Sequence, residues 1–357
     1  MSRTLPGLVL AMTLAVLARW IHTLPFPPFT IEGRHPVDTY LLAVLLGLAC
    51  RNLLPLGQWP QRGAQVAVKR LLPIAIVLLG ARLDFQRVMA LSARGLILSV
   101  SCLLIAFAIT LWLCARLRVP RRLSLLIGIG TAICGGTAVA VAAPVVEAEE
   151  QETAYALGVI TLVGLIALFV FPLIGHALAM SESQFGLWAG AAIHSTPQVM
   201  AAGFSYGPLA GEVAVVVKLT RVLLLAPSLV FVSLWYARSR QREGKLYFSE
   251  SLSWKSLFPP FILGFLLLAI ANSLSLLPTI TLSFPAGPLS VGGVYEANFS
   301  VIAKQLSGFL AASAMVGVGL SVRLERIARI GPRGLYVGCL AAVILSAVSL
   351  AFIKLSH

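Results

Sequence analysis

The chain has 357 residues, of which 59% are hydrophobic and 11% charged, with a mean hydropathy of +0.93. A soluble domain carries about 25% charged residues, so a water-soluble globule is excluded. The apolar residues instead form runs long enough to cross a ~30 Å hydrocarbon layer. The net charge of +14 falls in short loops between those runs rather than in a basic, aromatic-interleaved domain, which excludes nucleic acid as an expected partner.

In chain order the apolar runs predict eleven spans, at 6–24, 38–55, 66–83, 95–117, 122–145, 154–180, 186–203, 209–236, 256–275, 298–322 and 331–354. The expected class is an all-α polytopic membrane protein, one transmembrane domain over residues 1–357. The first run resembles a signal peptide in length, but further spans follow it, and it is read as the first span. Loops after even-numbered spans carry Arg51, Arg62, Lys69 and Arg70, then Arg116, Arg118, Arg121 and Arg122, then Arg238, Arg240, Arg242, Lys245 and Lys255, then Arg323, Arg326, Arg329 and Arg333. Loops after odd spans carry only Arg19, Arg34, Arg82, Arg87 and Arg94. The positive-inside rule then predicts a bacterial inner-membrane protein with a cytoplasmic N-terminus and a periplasmic C-terminus.

Residues 71–96 align without gaps on 310–335, with identities at Leu71, Ala75, Val77, Gly80, Arg87, Arg94, Gly95 and Leu96. The repeat elements extend over 66–118 and 298–357. They involve the third and tenth spans, which run in opposite directions, and inverted repeats are a mark of secondary transporters. A weaker echo at an offset of 60 matches Gly130, Ala132, Ile133, Val139 and Ala142 to Gly190, Ala192, Ile193, Val199 and Ala202. By span count those two segments run parallel, which a simple inverted repeat does not allow.

The same two segments, 122–145 and 186–203, are the most interrupted. The first contains Cys134-Gly135-Gly136-Thr137. A glycine pair weakens a helix, and a half-helix starting near Thr137 would offer free N–H groups to an anion. Small residues also serve close helix packing, and that alternative stands beside the first. The second contains His194, Ser195, Thr196, Pro197 and Gln198, neutral hydrogen-bonders around a helix-breaking proline. A kinked helix with polar contacts is the alternative there. In the eighth span Lys218 and Arg221 are three residues apart and share a face. Arg221 lies nine residues beyond Glu212, about 13 Å into the membrane at 1.5 Å per residue. All thirteen Asp and Glu fall in loops or at span ends, so these cations are expected to find their partner in an exogenous anion. Lys304, near the start of the tenth span, is a further candidate, while Asp38 and Asp84 read as structural span-end residues. The acidic run Glu147, Glu149, Glu150 and Glu152 reads as a solvated loop. Cys50, Cys102, Cys114, Cys134 and Cys339 show no metal-ligand spacing, and neither metal nor cofactor is expected.

These motifs resemble a known family. Ile133-Cys-Gly-Gly-Thr-Ala138 is similar to the signature of the YeiH-type sulfate exporter family. The stretch from His194 to Gly203, with Lys218, Arg221 and Pro227, resembles that family's second motif pair. The resemblance covers nearly the whole chain. It implies a relation to bile-acid and sodium–proton antiporter folds, with crossing broken helices and a core set against a panel. Ser195 stands where the family carries Asp or Glu, and Pro197 where it carries Ala. The expected function is a secondary transporter, not an enzyme, exporting a small anion such as sulfate, a related oxyanion or a sulfonate. Its binding residues would be Cys134, Gly135, Gly136, Thr137, His194, Ser195, Thr196, Gln198, Lys218, Arg221 and Lys304, with His194 binding substrate or carrying a proton. The expected partners are the anion, the lipid bilayer, a coupling proton or sodium ion, and a second copy of the chain in a homodimer. The rivals are a cation-coupled organic anion symporter and an anion channel.

Overall fold

A computed structural model describes residues 4–25, 38–57, 59–83, 85–241, 259–284, 293–323, 325 and 332–355. Of the charges counted above, Arg34, Arg242, Lys245, Lys255, Arg326 and Arg329 lie outside these residues, as does Asp84. The helices are α1 (Leu5–His22), α2 (Thr39–Leu53), α3 (Trp59–Val66), α4 (Leu72–Gly80), α5 (Phe85–Arg116), α6 (Arg121–Ala132), α7 (Gly136–Val145), α8 (Glu150–Ala177), α9 (Glu182–Ala192), α10 (Thr196–Tyr206), α11 (Pro208–Leu223), α12 (Leu225–Gln241), α13 (Pro260–Ser273), α14 (Phe299–Ser321) and α15 (Pro332–Leu355). One short antiparallel hairpin, β1 (Thr279–Phe284) with β2 (Gly293–Asn298), joins α13 to α14 and pairs Thr279 with Asn298. It falls in the gap left between the ninth and tenth predicted spans. The rest is helical, as the sequence predicts. Among the described residues seven helical runs are long and apolar enough to cross a membrane, two of them, Trp59–Gly80 and Pro208–Ser233, spanning more than one labelled helix, and α2, α7 and α13 are apolar but shorter.

Where the sequence suggests one domain, contacts divide the chain into two compact units. Unit 1 comprises Met1–His35, Leu42–Ala90 and Pro260–Val322; unit 2 comprises Pro36–Leu41, Leu91–Pro259 and Arg323–His357.

In unit 1, α3 runs into α4 through a π-helical turn, Ala67–Leu71. Lys69 and Arg70 therefore lie inside the helical run Trp59–Gly80 rather than in a loop. Ser307 on α14 donates to the Ala75 carbonyl at 2.7 Å, while Gly317 packs against Ala64 and Ala67. Rising numbers on one helix meet falling numbers on the other, so α14 runs antiparallel to α3–α4, as the repeat requires. At the end of α2, Asn52 donates to the Val322 carbonyl at 3.0 Å and ties it to the end of α14.

In unit 2 both interrupted segments turn back on themselves. A Cβ on Gly130 would lie 2.8 Å from Val139 Cγ2. In a continuous helix those residues would be about 13 Å apart at 1.5 Å per residue. Arg122 at the start of α6 is close enough to Glu152 and to Glu147, just past α7, to interact with their charges. So α6 and α7 form a helical hairpin whose two ends meet. The turn is made by Gly135, at φ +71°, a conformation that disfavours a side chain. Likewise Phe185 of α9 stacks on Tyr206 of α10 with ring centroids 3.9 Å apart, and the Tyr206 hydroxyl donates to the Met180 carbonyl. Two eleven-residue legs thus fold back about the break at 193–195.

The two hairpins enter from opposite ends of the unit. Between them α8 runs once through it, from the Glu147–Arg122 end to the Met180–Tyr206 end, over 28 residues. The echo at offset 60 therefore aligns one hairpin on the other, tip on tip, in inverted orientation. This corrects two expectations. The segments 122–145 and 186–203 do not cross as single spans, and the crossing broken helices implied by the family resemblance are replaced by hairpins that meet at their tips. The flanking repeat elements are inverted too. On α5, Phe107 lies beside Gly128 and Ser99 beside Thr220, so α5 runs toward the Arg122 end. On α15, Gly334 meets Tyr155 and Ser346 meets Trp188, so α15 runs away from it.

The hairpin topology predicts a labelling pattern. In a cysteine-free background, Arg118→Cys and Ala148→Cys should react with a membrane-impermeant maleimide from one and the same side. Ala179→Cys and Leu209→Cys should both react from the other. Opposite sidedness for Arg118→Cys and Ala148→Cys would show that 122–145 crosses.

Candidate functional site

Each hairpin tip is a helix end. α6 and α9 finish there with their last carbonyls unpaired, and α7 and α10 begin there with their first N–H groups. In hydrocarbon no water is at hand for such carbonyls, so the protein must satisfy them. Lys218 and Arg221, on α11, do so. α11 lies along α9 in parallel: Glu182, at the start of α9, accepts from Leu209 N at 2.8 Å and Ala210 N at 3.1 Å. That register carries Lys218 and Arg221 to the level of the tips.

Lys218 Nζ donates to the Ile133 carbonyl at 2.9 Å and the Ile193 carbonyl at 2.8 Å, one from each hairpin. Arg221 also bridges both. Its Nη1 donates to the Ala191 carbonyl, and Nη2 to those of Ala132 at 2.6 Å and Thr131 at 3.1 Å. Both residues are fully buried. The expectation that only an exogenous anion could partner them is therefore corrected, since their partners are backbone carbonyls at the negative ends of two short helices. Carboxylates are legible in a sequence, whereas a helix C-terminus is an acceptor no side chain announces.

The other predicted residues separate by exposure. Thr137 is exposed, and Gly136, Ser195 and Thr196 are partly so. These are the N-terminal ends of α7 and α10. Cys134 is buried at 6% exposure, its sulfur accepting from the Ala138 amide. Gln198 is structural. Its side-chain oxygen accepts from Ser195 N at 3.2 Å and its nitrogen donates to the Thr161 carbonyl at 3.1 Å, fixing the turn of the second hairpin onto α8. Ile193 and Gly135 bring the tips together, since a Cβ on Gly135 would sit 3.5 Å from the His194 backbone. His194 itself is 1% exposed, and neither ring nitrogen has a partner among the described residues. Lys304 belongs to unit 1, exposed on α14. Thr131, to which the sequence reading gives no role, is buried at the tip with its hydroxyl unpartnered among the described residues. A polar residue three positions before Cys134 in an apolar run is the signal available.

The tip cluster is electropositive. A helix terminus carries about half a unit charge, so the two C-terminal ends offset only part of two full cationic charges, and the two N-termini restore that part. Among the described residues no cluster of His, Cys, Asp and Glu could hold a metal ion. The arrangement offers backbone N–H donors at an accessible surface, held by cations buried behind them.

Removing a clamp leaves carbonyls without donors. Lys218→Met should destabilise the protein by about 1–3 kcal/mol for each carbonyl left unpaired, whereas Thr137→Val, at an exposed position, should stay within about 0.5 kcal/mol. Thermal unfolding of the purified variants measures both.

A family model described as "Conserved hypothetical protein 698" matches residues 6–338. A UPF0324 membrane protein of Streptococcus pyogenes serotype M3 is 33% identical over 357 residues, covering 98% of this chain and 96% of its own. Another, from Bacillus cereus, is 30% identical over 341 residues, covering 95% and 91%. A third, from Bradyrhizobium diazoefficiens, is 30% identical over 352 residues, covering 98% and 92%. Their names state that they are membrane proteins and give no cargo.

Proposed function

The chain belongs to the conserved hypothetical protein 698 family, and from that footing we propose that this multi-pass membrane protein is a secondary transporter of a small anion. One observation carries the reading: two helical hairpins, inverted relative to each other, meet tip to tip, with accessible helix N-termini backed by two buried cations. Inverted repeats whose half-helix ends meet inside the membrane are the recurring architecture of secondary transporters, and N-terminal ends suit anionic groups. The cargo is sulfate or a related oxyanion or sulfonate, moved outward by alternating access. Gly136, Thr137, Ser195 and Thr196 contact it, and Lys218 and Arg221 hold the tips and set the sign of the field.

The membrane is the bacterial inner membrane, with the arginine-rich ends of α5, α6 and α12 on the cytoplasmic side. On the same reading the N-terminus is inside and the C-terminus outside. No catalytic step is assigned, and a homodimer is compatible with the reading. A proton- or sodium-coupled organic anion transporter is the second reading. It is favoured by His194, whose unpartnered imidazole could exchange a proton with the cargo.

The test is counterflow of labelled sulfate in proteoliposomes. Wild-type protein should show saturable, trans-stimulated exchange. Arg221→Ala should abolish it while the protein still inserts, and Thr196→Val should lower it at least tenfold by losing a donor to a charged ligand. Unsaturable conduction would mean a channel, and full exchange in Arg221→Ala would remove this site. Dependence on an imposed proton or sodium gradient would select the coupled reading.

A further inference from the structure

Four buried polar atoms at the hairpin tips have no hydrogen-bond partner among the described residues: Thr131 Oγ1, His194 Nδ1 and Nε2, and Arg221 Nε. The three side chains are 0%, 1% and 0% exposed. They belong to one cluster, because Arg221 donates to the carbonyls of Thr131 and Ala191, and Lys218 donates to that of Ile193, the residue before His194. Native proteins leave few buried polar groups unpaired, and such a set marks a bound water or ion.

The surrounding charge selects between the two. Lys218 and Arg221 are fully buried, and each of the hydrogen-bond partners described above is a neutral carbonyl. A buried cation without a full counter-charge is costly, and a water molecule supplies none. We propose that Thr131, His194 and Arg221 hold a small monatomic anion of chloride size behind the tips, as a resident ion distinct from the transported cargo. The hydrogens on offer are the guanidinium Nε–H, the Thr131 hydroxyl and one imidazole N–H group. Three donors suit a single-atom anion, whereas a tetrahedral oxyanion has four oxygens to satisfy. The ion neutralises part of the cationic field and locks together the two tips that Lys218 and Arg221 already clamp. The cargo meets the exposed N-terminal ends instead.

The test needs no transport. The full chain, purified in detergent, is unfolded by heat while chloride replaces gluconate at constant ionic strength. The unfolding temperature should rise saturably with chloride, and bromide should substitute. Thr131→Val should raise the half-saturating chloride concentration about tenfold, the loss expected for one hydrogen bond to an ion. Thr131→Ser, which keeps the hydroxyl, should leave it near wild type and guards against a packing effect. Crystals grown in bromide should show one anomalous peak beside Arg221. Unfolding that ignores halide, or that responds alike to every anion and in Thr131→Val, overturns the proposal and leaves the position to water. Because halide binding is read by stability and cargo by flux, a failure of sulfate exchange leaves this result standing, and the reverse holds equally.

Discussion

Two helices that stop inside a membrane protein, with their ends buried, create a problem that the rest of unit 2 is arranged to solve. The carbonyls at the ends of α6 and α9 have no following turn to donate to them, and lipid offers no water. Lys218 and Arg221 bring the opposite problem, cationic heads that hydrocarbon rejects. Each need meets the other. Five carbonyls from two hairpins receive two side chains from one helix, and the pairing binds α6, α9 and α11 at a single level.

The clamp has a consequence for what remains exposed. With the C-terminal ends occupied from behind, the N-terminal ends of α7 and α10 face outward at Gly136–Thr137 and Ser195–Thr196. The residues with full charge hold the frame, and the accessible ones carry only dipoles and hydroxyls. A fixed charge behind a neutral donor surface attracts an anion without gripping it as directly as a bidentate arginine would. Gln198, tied to Ser195 and to Thr161, stiffens the second tip in the same way that Gly135 permits the first.

The topology also explains why an eleven-span count yields a coherent charge asymmetry. Two non-crossing hairpins separated by one crossing helix change the side of only two connections, 146–149 and 178–181. Neither contains Lys or Arg, so these two changes of side move no positive charge. The acidic run does change side, and joins the end that holds Arg122. Inverted repetition is then legible at two levels, in the antiparallel α4 and α14 and in the opposed hairpins.

The sequence by itself determined the membrane class, the helical make-up, the two interruptions and the residues around them. Long apolar stretches and helix breakers act locally, and local chemistry is visible in a linear string. It could not determine that the interrupted segments fold back, because a kinked span and a hairpin share one hydropathy profile. Nor could it determine that Lys218 Nζ and both terminal nitrogens of Arg221 find acceptors inside the protein. Their acceptors are main-chain carbonyls of residues 25 to 90 positions away, present at every residue and therefore marked by none. Only the tertiary packing decides which carbonyls lack a helical donor, and so where a buried cation can find its partner.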